Sequence, residues 1–173
     1  FDIKMKIIFE IMLAIEYLHQ NEFIYRDLRP SNIMIDKDYN AILIDFNRSF
    51  KHNEINTFDL SSDFGAKEVN SINCSFSSDI FALGRIIVFL LDNNHFYDEL
   101  HDDIFKKYPL FNELFKKMLS DDQYKRPSIF EVIILFYINF HESVKDLDLD
   151  KLSSNNSIKA IKSFDFTKEI RES

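Results

Sequence analysis

The sequence predicts an α+β domain, mainly helical with one small β-hairpin, and three observations carry that prediction. Apolar residues recur at helical spacing in four separate stretches. Two short aliphatic runs flank a turn-like pentapeptide, Asp36-Lys37-Asp38-Tyr39-Asn40. Between the hairpin and the second helical stretch lies a polar, irregular segment, 47–75, too long for a mere connector and so expected to be a functional loop.

The elements follow in order. Residues 3–19 place Ile7, Ile8, Ile11, Met12, Ile15 and Leu18 on one helical face. From Glu22 the period changes, and Ile33-Met34-Ile35 and Ala41-Ile42-Leu43-Ile44 read as paired strands. Ser77 and Ser78 are expected to cap a helix running to Leu91, apolar on nearly all sides and therefore central and buried. A third helix presents Phe111, Leu114, Phe115 and Met118. A fourth opens on the capping box Ser128-Ile129-Phe130-Glu131 and turns Ile129, Val132, Ile133, Phe136 and Phe140 inward. The domain is expected to span 1–140. Residues 141–173 read as a charged tail of weak helical pattern, partly disordered.

Composition narrows the class of function. A chain of 173 residues holds one domain with a real core, and 46% hydrophobic with 29% charged residues is ordinary for a globular protein. A net charge of −8 argues against nucleic-acid or anionic-membrane partners, which need a basic face. The single Cys74 excludes an internal disulfide and a multi-cysteine zinc site, so a reducing, cytoplasmic setting fits. No apolar run is long enough to span a bilayer. His19, His52, His95, His101 and His141 lack metal-ligand spacing, and the cluster Asp98, Glu99, Asp102, Asp103 reads as a solvated face.

Chemistry concentrates in two short segments. Tyr25-Arg26-Asp27-Leu28-Arg29-Pro30-Ser31-Asn32 lies between the first helix and the first hairpin strand, and Asp45-Phe46-Asn47 follows the second strand. They resemble the catalytic loop H-R-D-L-x-x-x-N and the metal loop D-F-G of protein kinases, in the family's order and joined by a hairpin of the expected size. The resemblance continues downstream. Ala66-Lys67-Glu68 stands where the family has A-P-E, Asp79-Ile80-Phe81-Ala82-Leu83-Gly84 looks like the start of its buried central helix, and Arg126-Pro127-Ser128 is similar to the segment before its last helix. The fold so implied is the helical C-terminal lobe of a kinase domain, with the N-terminal lobe absent and expected upstream of Phe1.

Carried over residue by residue, the resemblance makes Asp27 the acceptor of the substrate hydroxyl's proton and Arg29 a contact to the transferring phosphate. Asn32 and Asp45 become oxygen ligands for Mg²⁺, with ATP as phosphoryl donor and proteins as substrates. It pairs Glu68 with Arg126 and sets Asp79 to brace the backbone at Tyr25 and Arg26. Ser61 falls where Ser/Thr kinases place a hydroxyl that contacts the catalytic Asp. Thr57 and Ser61 are candidate phosphosites, with Arg26 either clamping such a phosphate or pairing with a carboxylate.

Four departures matter. Tyr25 replaces His, and Arg29 replaces the usual Lys with a planar fork of different reach. Asn47 replaces the glycine of D-F-G; Asn is the least costly non-glycine residue at positive φ, so the loop is expected to stiffen without losing metal binding. Lys67 replaces Pro. Gly65 and Gly84 are the only glycines, so no glycine-rich phosphate loop is present, and the chain alone is expected to be inactive. Pro30-Ser31 after Arg29 tilts specificity towards Ser/Thr. Two rival readings stand beside a Ser/Thr kinase: a pseudokinase or interaction scaffold, and a small-molecule phosphotransferase of kinase-like fold.

Overall fold

A computed structural model describes residues 2–52, 54, 63–91, 109–149 and 155–163. Five helices are described: α1 (Asp2–Gln20), α2 (Phe76–Leu91), α3 (Pro109–Met118), α4 (Ile129–Val144) and α5 (Asn156–Ser163). Four short strands are β1 (Phe23–Ile24), β2 (Ile33–Ile35), β3 (Ala41–Leu43) and β4 (Phe50–Lys51). The architecture is mostly helical with small antiparallel ladders, as the hydrophobic periodicity predicts. The side chain of Phe111, the histidines 95 and 101 and the acidic cluster at 98–103 lie outside the described residues.

The hairpin forms in the expected register, with Ile33 opposite Leu43, Met34 opposite Ile42 and Ile35 opposite Ala41. Its turn is organised by one carboxylate. Asp36 accepts from the backbone N–H groups of Asp38 (2.8 Å) and Asn40 (2.9 Å) and from the Asn40 side chain (2.8 Å). Those bonds, the Asn40 backbone first, hold the Asp36 carboxyl below its ordinary range.

A second ladder emerges inside the segment expected to be irregular. β4 pairs with β1, Phe23 opposite Lys51 and Ile24 opposite Phe50. Two residues per strand are too few for alternation to be read, so only a tertiary partner reveals them. α2 also starts earlier than expected, at Phe76. Ser78, expected as a cap, lies in the first turn, where its Oγ accepts from Ser75 N–H (3.3 Å) and donates to Glu68 (3.0 Å).

α1 is buried far beyond one stripe. Met5, Phe9, Leu13 and Glu16 are covered along with the predicted face. Phe9 stacks on Phe136 of α4 at 5.7 Å between ring centres. α2 crosses the end of α3 at Gly84, where an added Cβ would lie 3.0 Å from Leu119, so a close helix approach explains this glycine.

The tail supplies the remaining cover. α4 bends at Phe140, whose φ of −132° and ψ of 19° are non-helical, and then continues to Val144. The boundary drawn at 140 therefore falls on a kink rather than a helix end. Further on, Ile158 and Ile161 of α5 are buried in the main core. Asn155 donates to the carbonyl of Leu13 (2.8 Å), and Ser157 gives both its N–H (2.9 Å) and its Oγ–H (2.5 Å) to the buried carboxylate of Glu16. An anion at the first turn of α5 also suits the helix dipole.

Candidate active site

Asp27 and Asn32 sit on the loop between β1 and β2, and Asp45 follows β3. The pairing of β2 with β3 thus returns the chain to where it left. Backbone bonds tie the two loops together: Ile44 N–H donates to the carbonyl of Asn32 at 3.0 Å. Tyr25 adds a second tie, its phenol donating to the carbonyl of Ile44 immediately before Asp45. Burial and then the carboxylates of Asp27, Asp45 and Asp79 push the Tyr25 hydroxyl above its ordinary pKa, which favours the protonated, donating form. The Tyr25 ring also meets Phe46 edge-on at 5.4 Å. The substitution of Tyr for His therefore brings a cross-loop hydrogen bond of its own.

Asn32 links the loop to its central carboxylate. Its Nδ2 donates to the backbone carbonyl of Asp27 and to Asp27 Oδ2, both at 2.9 Å. Both partners are pure acceptors, which fixes the amide orientation: nitrogen towards Asp27, leaving the oxygen as the acceptor. Asp45, by contrast, is exposed, its carboxylate accepting only a long 3.3 Å bond from Asn47 N–H among the described residues. An oriented amide oxygen and an exposed carboxylate are hard donors of the kind Mg²⁺ takes, in a partial set that phosphate oxygens and water would complete. The residues present fit such an ion. No group of three or more His, Cys, Asp or Glu side chains among the described residues forms a metal cluster by itself.

Backbone strain marks the same two loops. Arg26 (φ 69°) and Asp45 (φ 58°) are left-handed non-glycine residues, a conformation that costs on the order of 1–3 kcal/mol each. Asn47 is not among them. The strain falls two residues earlier, on Asp45. What holds Arg26 in place is Asp79, near the start of α2, whose carboxylate accepts from the N–H groups of Tyr25 and Arg26, each at 2.8 Å. His19 of α1 reaches the same carboxylate at 2.9 Å.

The remaining predicted residues divide by position. Arg26 is buried, donates to the carbonyl of Val69 (2.8 Å) and lies over the Phe50 ring (5.1 Å). Arg29 contributes the residue before a 3₁₀ turn at Pro30–Asn32, half-buried beside Asp27 in the chain. Thr57 and Ser61 lie outside the described residues. Glu68 and Arg126 form a two-pronged ion pair away from the loops, Arg126 Nη2 reaching Glu68 Oε2 at 3.3 Å and Nη1 bonding Oε1. Arg126 also donates to the carbonyls of Ser77 (3.0 Å) and Ser120 (2.9 Å) and covers the Phe81 ring at 4.9 Å. Burial alone would raise the Glu68 pKa, but Arg126, the local backbone and Ser78 outweigh it and hold the carboxyl below its usual range.

One participant escaped the sequence reading. Arg48 donates from Nη1 to Asp27 Oδ1 at 3.3 Å, with its own side chain 40% exposed against 5% for Asp27. The only signal in the sequence was a cation just beyond Asp45-Phe46-Asn47, and no spacing rule aims it at Asp27. A pocket of about 520 Å³, lined by Tyr17, Ile42, Leu43 and Phe46 among others, opens beside the metal loop rather than over Asp27.

A buried carboxylate, an oriented amide oxygen and an exposed second carboxylate on two mutually bonded loops are the parts from which kinase-like phosphotransferases are built. The comparisons make the family plain. The family described as protein kinase domain matches residues 2–138, and the chain belongs to it. It is 32% identical over 133 residues to cAMP-dependent protein kinase catalytic subunit 3 of Drosophila melanogaster, covering 68% of this chain and 23% of that protein. A carbon catabolite-derepressing protein kinase of Secale cereale is 30% identical over 141 residues, 71% of this chain and 28% of the relative. Developmentally-regulated protein kinase 1 of Dictyostelium discoideum is 32% identical over 126 residues, 69% and 17% of the two chains. The chain thus matches 28% or less of each of these relatives' length. No helix among the described residues is long and apolar enough to cross a membrane.

Proposed function

We propose that this chain is the C-terminal lobe of a Ser/Thr protein kinase domain, spanning 1–140 with a tail from 141. With an N-terminal lobe upstream it transfers the terminal phosphoryl group of ATP to hydroxyls of protein substrates. The observation that carries this reading is the pair of hydrogen bonds from Asn32 Nδ2 to Asp27. It fixes the carboxylate and sets which atom of the Asn32 amide is the acceptor. Asp27 orients the incoming hydroxyl in line and takes its proton as the new O–P bond forms and the bond to ADP breaks. Arg29 neutralises charge on the moving phosphoryl group. Asn32 and Asp45 would hold Mg²⁺, which would supply neutralisation of the phosphate charge. Asp79 holds the strained loop through its backbone, Arg26 buttresses it from below, and Glu68 with Arg126 anchors the substrate-side segment to the helical body.

The apolar rim supports the lobe assignment. Tyr17, Ile42 and Phe46 are about half exposed around one pocket, and Met34 and Ile35 are exposed on β2. A surface of that kind wants a cover, and a lobe seated there would place the nucleotide over the two loops. The chain without that lobe is expected to bind Mg·ATP feebly and to be inactive. The Ser/Thr assignment rests on Pro30-Ser31 and on the Ser/Thr kinases among the relatives, such as a probable serine/threonine-protein kinase KIN1 homolog of Encephalitozoon cuniculi.

A scaffold reading has one specific observation behind it: Arg48 occupies the acceptor atom of Asp27. Phosphate transfer from labelled ATP to a generic protein substrate separates the two, using this chain joined to its upstream lobe. Asp27→Asn is expected to fold and to lower the rate by about 10²–10⁴. Equal inactivity of the unmodified and substituted proteins would establish the scaffold instead.

A further inference from the structure

Asp27 has two carboxylate oxygens and both are engaged. Oδ2 accepts from Asn32 and Oδ1 from Arg48. A hydroxyl that is to be aligned and deprotonated would take a lone pair of Oδ1, the more weakly held of the two oxygens, and there it competes with the Arg48 guanidinium. The geometry of the bond is suited to opening. It is a single contact at 3.3 Å, without the second parallel bond that guanidinium–carboxylate pairs make when they are strong. The Arg48 side chain is 40% exposed, so it has room to swing, whereas the Asp27 side chain is 5% exposed and held by Asn32.

The incoming reactants say where Arg48 would go. In a productive complex the attacking oxygen lies within hydrogen-bond reach of Asp27 and the terminal phosphorus within about 3–3.5 Å of that oxygen. A guanidinium already at Asp27 is therefore next to the phosphate by a side-chain rotation alone. A terminal phosphate offers more negative charge and three oxygens, a better match to the planar fork than one oxygen of a shared carboxylate.

We propose that Arg48 is a second cation of the transfer site, resting on Asp27 while the site is empty and moving to the terminal phosphate of the nucleotide. The move leaves Oδ1 to the hydroxyl without a competing cation, so Asp27 is the stronger acceptor when a triphosphate is present. This rests on the kinase reading above. Arg48 then works beside Arg29 as a catalytic residue, one that binds the group being transferred.

The test is nucleotide discrimination, read by calorimetry on this chain joined to its upstream lobe. The probes are Mg²⁺ with ADP and Mg²⁺ with a non-hydrolysable ATP analogue. Arg48→Leu should weaken the analogue about tenfold or more, the loss expected for a charge-assisted contact, and leave ADP affinity unchanged. Arg48→Lys should recover part of the loss, and thermal unfolding midpoints should stay within a few degrees across all three proteins. Phosphate transfer by Arg48→Leu should fall.

An unchanged analogue-to-ADP ratio in Arg48→Leu, or a rise in its transfer rate, would overturn the role of Arg48 while leaving the kinase reading intact. A rise would identify the arginine as a lock on Asp27. Failure of the unmodified protein to bind either nucleotide would overturn the kinase reading and this proposal together.

Discussion

Two arginine–carboxylate pairs in this molecule share a chemistry and differ in everything that surrounds it. Arg126 is buried to 1% exposure, grips Glu68 with two prongs, and spends its other donors on the Ser77 and Ser120 carbonyls. Arg48 is 40% exposed, touches Asp27 with one nitrogen and makes no other side-chain bond among the described residues. The first pair joins the 3₁₀ turn at Lys67–Asn70 to the entry of α4, two segments far apart in the chain. The second joins two loops that already share backbone bonds. Charge pairing holds a fold together where it is dry, multiply bonded and spans distant segments. Where it is wet and single, it is available for chemistry.

The sharpest way to break that contrast is Arg126→Ala. Removing one partner strands the Glu68 carboxylate and takes away the guanidinium bonds to the Ser77 and Ser120 carbonyls, so the loss should be about 3–5 kcal/mol in urea unfolding. An unfolding midpoint equal to that of the unmodified chain would mean the pair is ornamental. Acid sharpens the same point. The folded-state pKa of Glu68 lies below its ordinary value, so its contribution is complete above about pH 5 and is lost as pH falls through the folded pKa. The stability gap between the unmodified chain and Glu68→Gln should be constant at neutral pH and should narrow in acid. A gap that grew in acid would reverse the assigned sign.

The same contrast explains what the sequence could and could not disclose. Helices and hairpin were legible because their periods repeat over enough residues, and α4 announced its start with Ser128 and Glu131, whose reciprocal bonds are present. Asp27, Asn32 and Asp45 were legible as types at fixed offsets, and the hairpin between them is what brings them together. Contacts made at long range by single side chains were not. Arg48 on Asp27, the phenol of Tyr25 on Ile44, and β4 on β1 carry no periodic mark. The left-handed turn at Asp45 was not legible either: Asn47 has the permissive side chain, yet the positive φ falls on Asp45. The docked tail was hidden because its key contact is polar. A glutamate in mid-helix reads as solvent-facing, and Glu16 is buried only because Ser157 satisfies it.

That contact gives the next effect in size. Ser157→Ala removes one bond to a buried carboxylate and leaves the other, from its own N–H, in place. A loss of about 1.5–3 kcal/mol is expected, the range for a hydrogen bond to a charged group, and amide exchange should quicken in α5. Unchanged protection across Asn156–Ser163 would show that Ile158 and Ile161 alone hold the helix down.

The smallest effect is the most discriminating. Arg48→Leu removes as full a charge as Arg126→Ala does, yet it should cost no more than about 1 kcal/mol of stability. The bond is single and 3.3 Å long, the side chain is partly in water, and Asp27 keeps its bond from Asn32 when Arg48 is gone. The Arg48 side chain is 40% exposed, so the packing change is small as well. Urea unfolding of the two arginine variants side by side measures the ratio directly. Comparable losses would mean that Arg48 is a structural clamp of the same kind as Arg126, in which case Asp27 is held shut by the fold. A loss confined to Arg126→Ala leaves the Arg48 contact as one the protein can open at little cost, which is what a residue that must change partners requires.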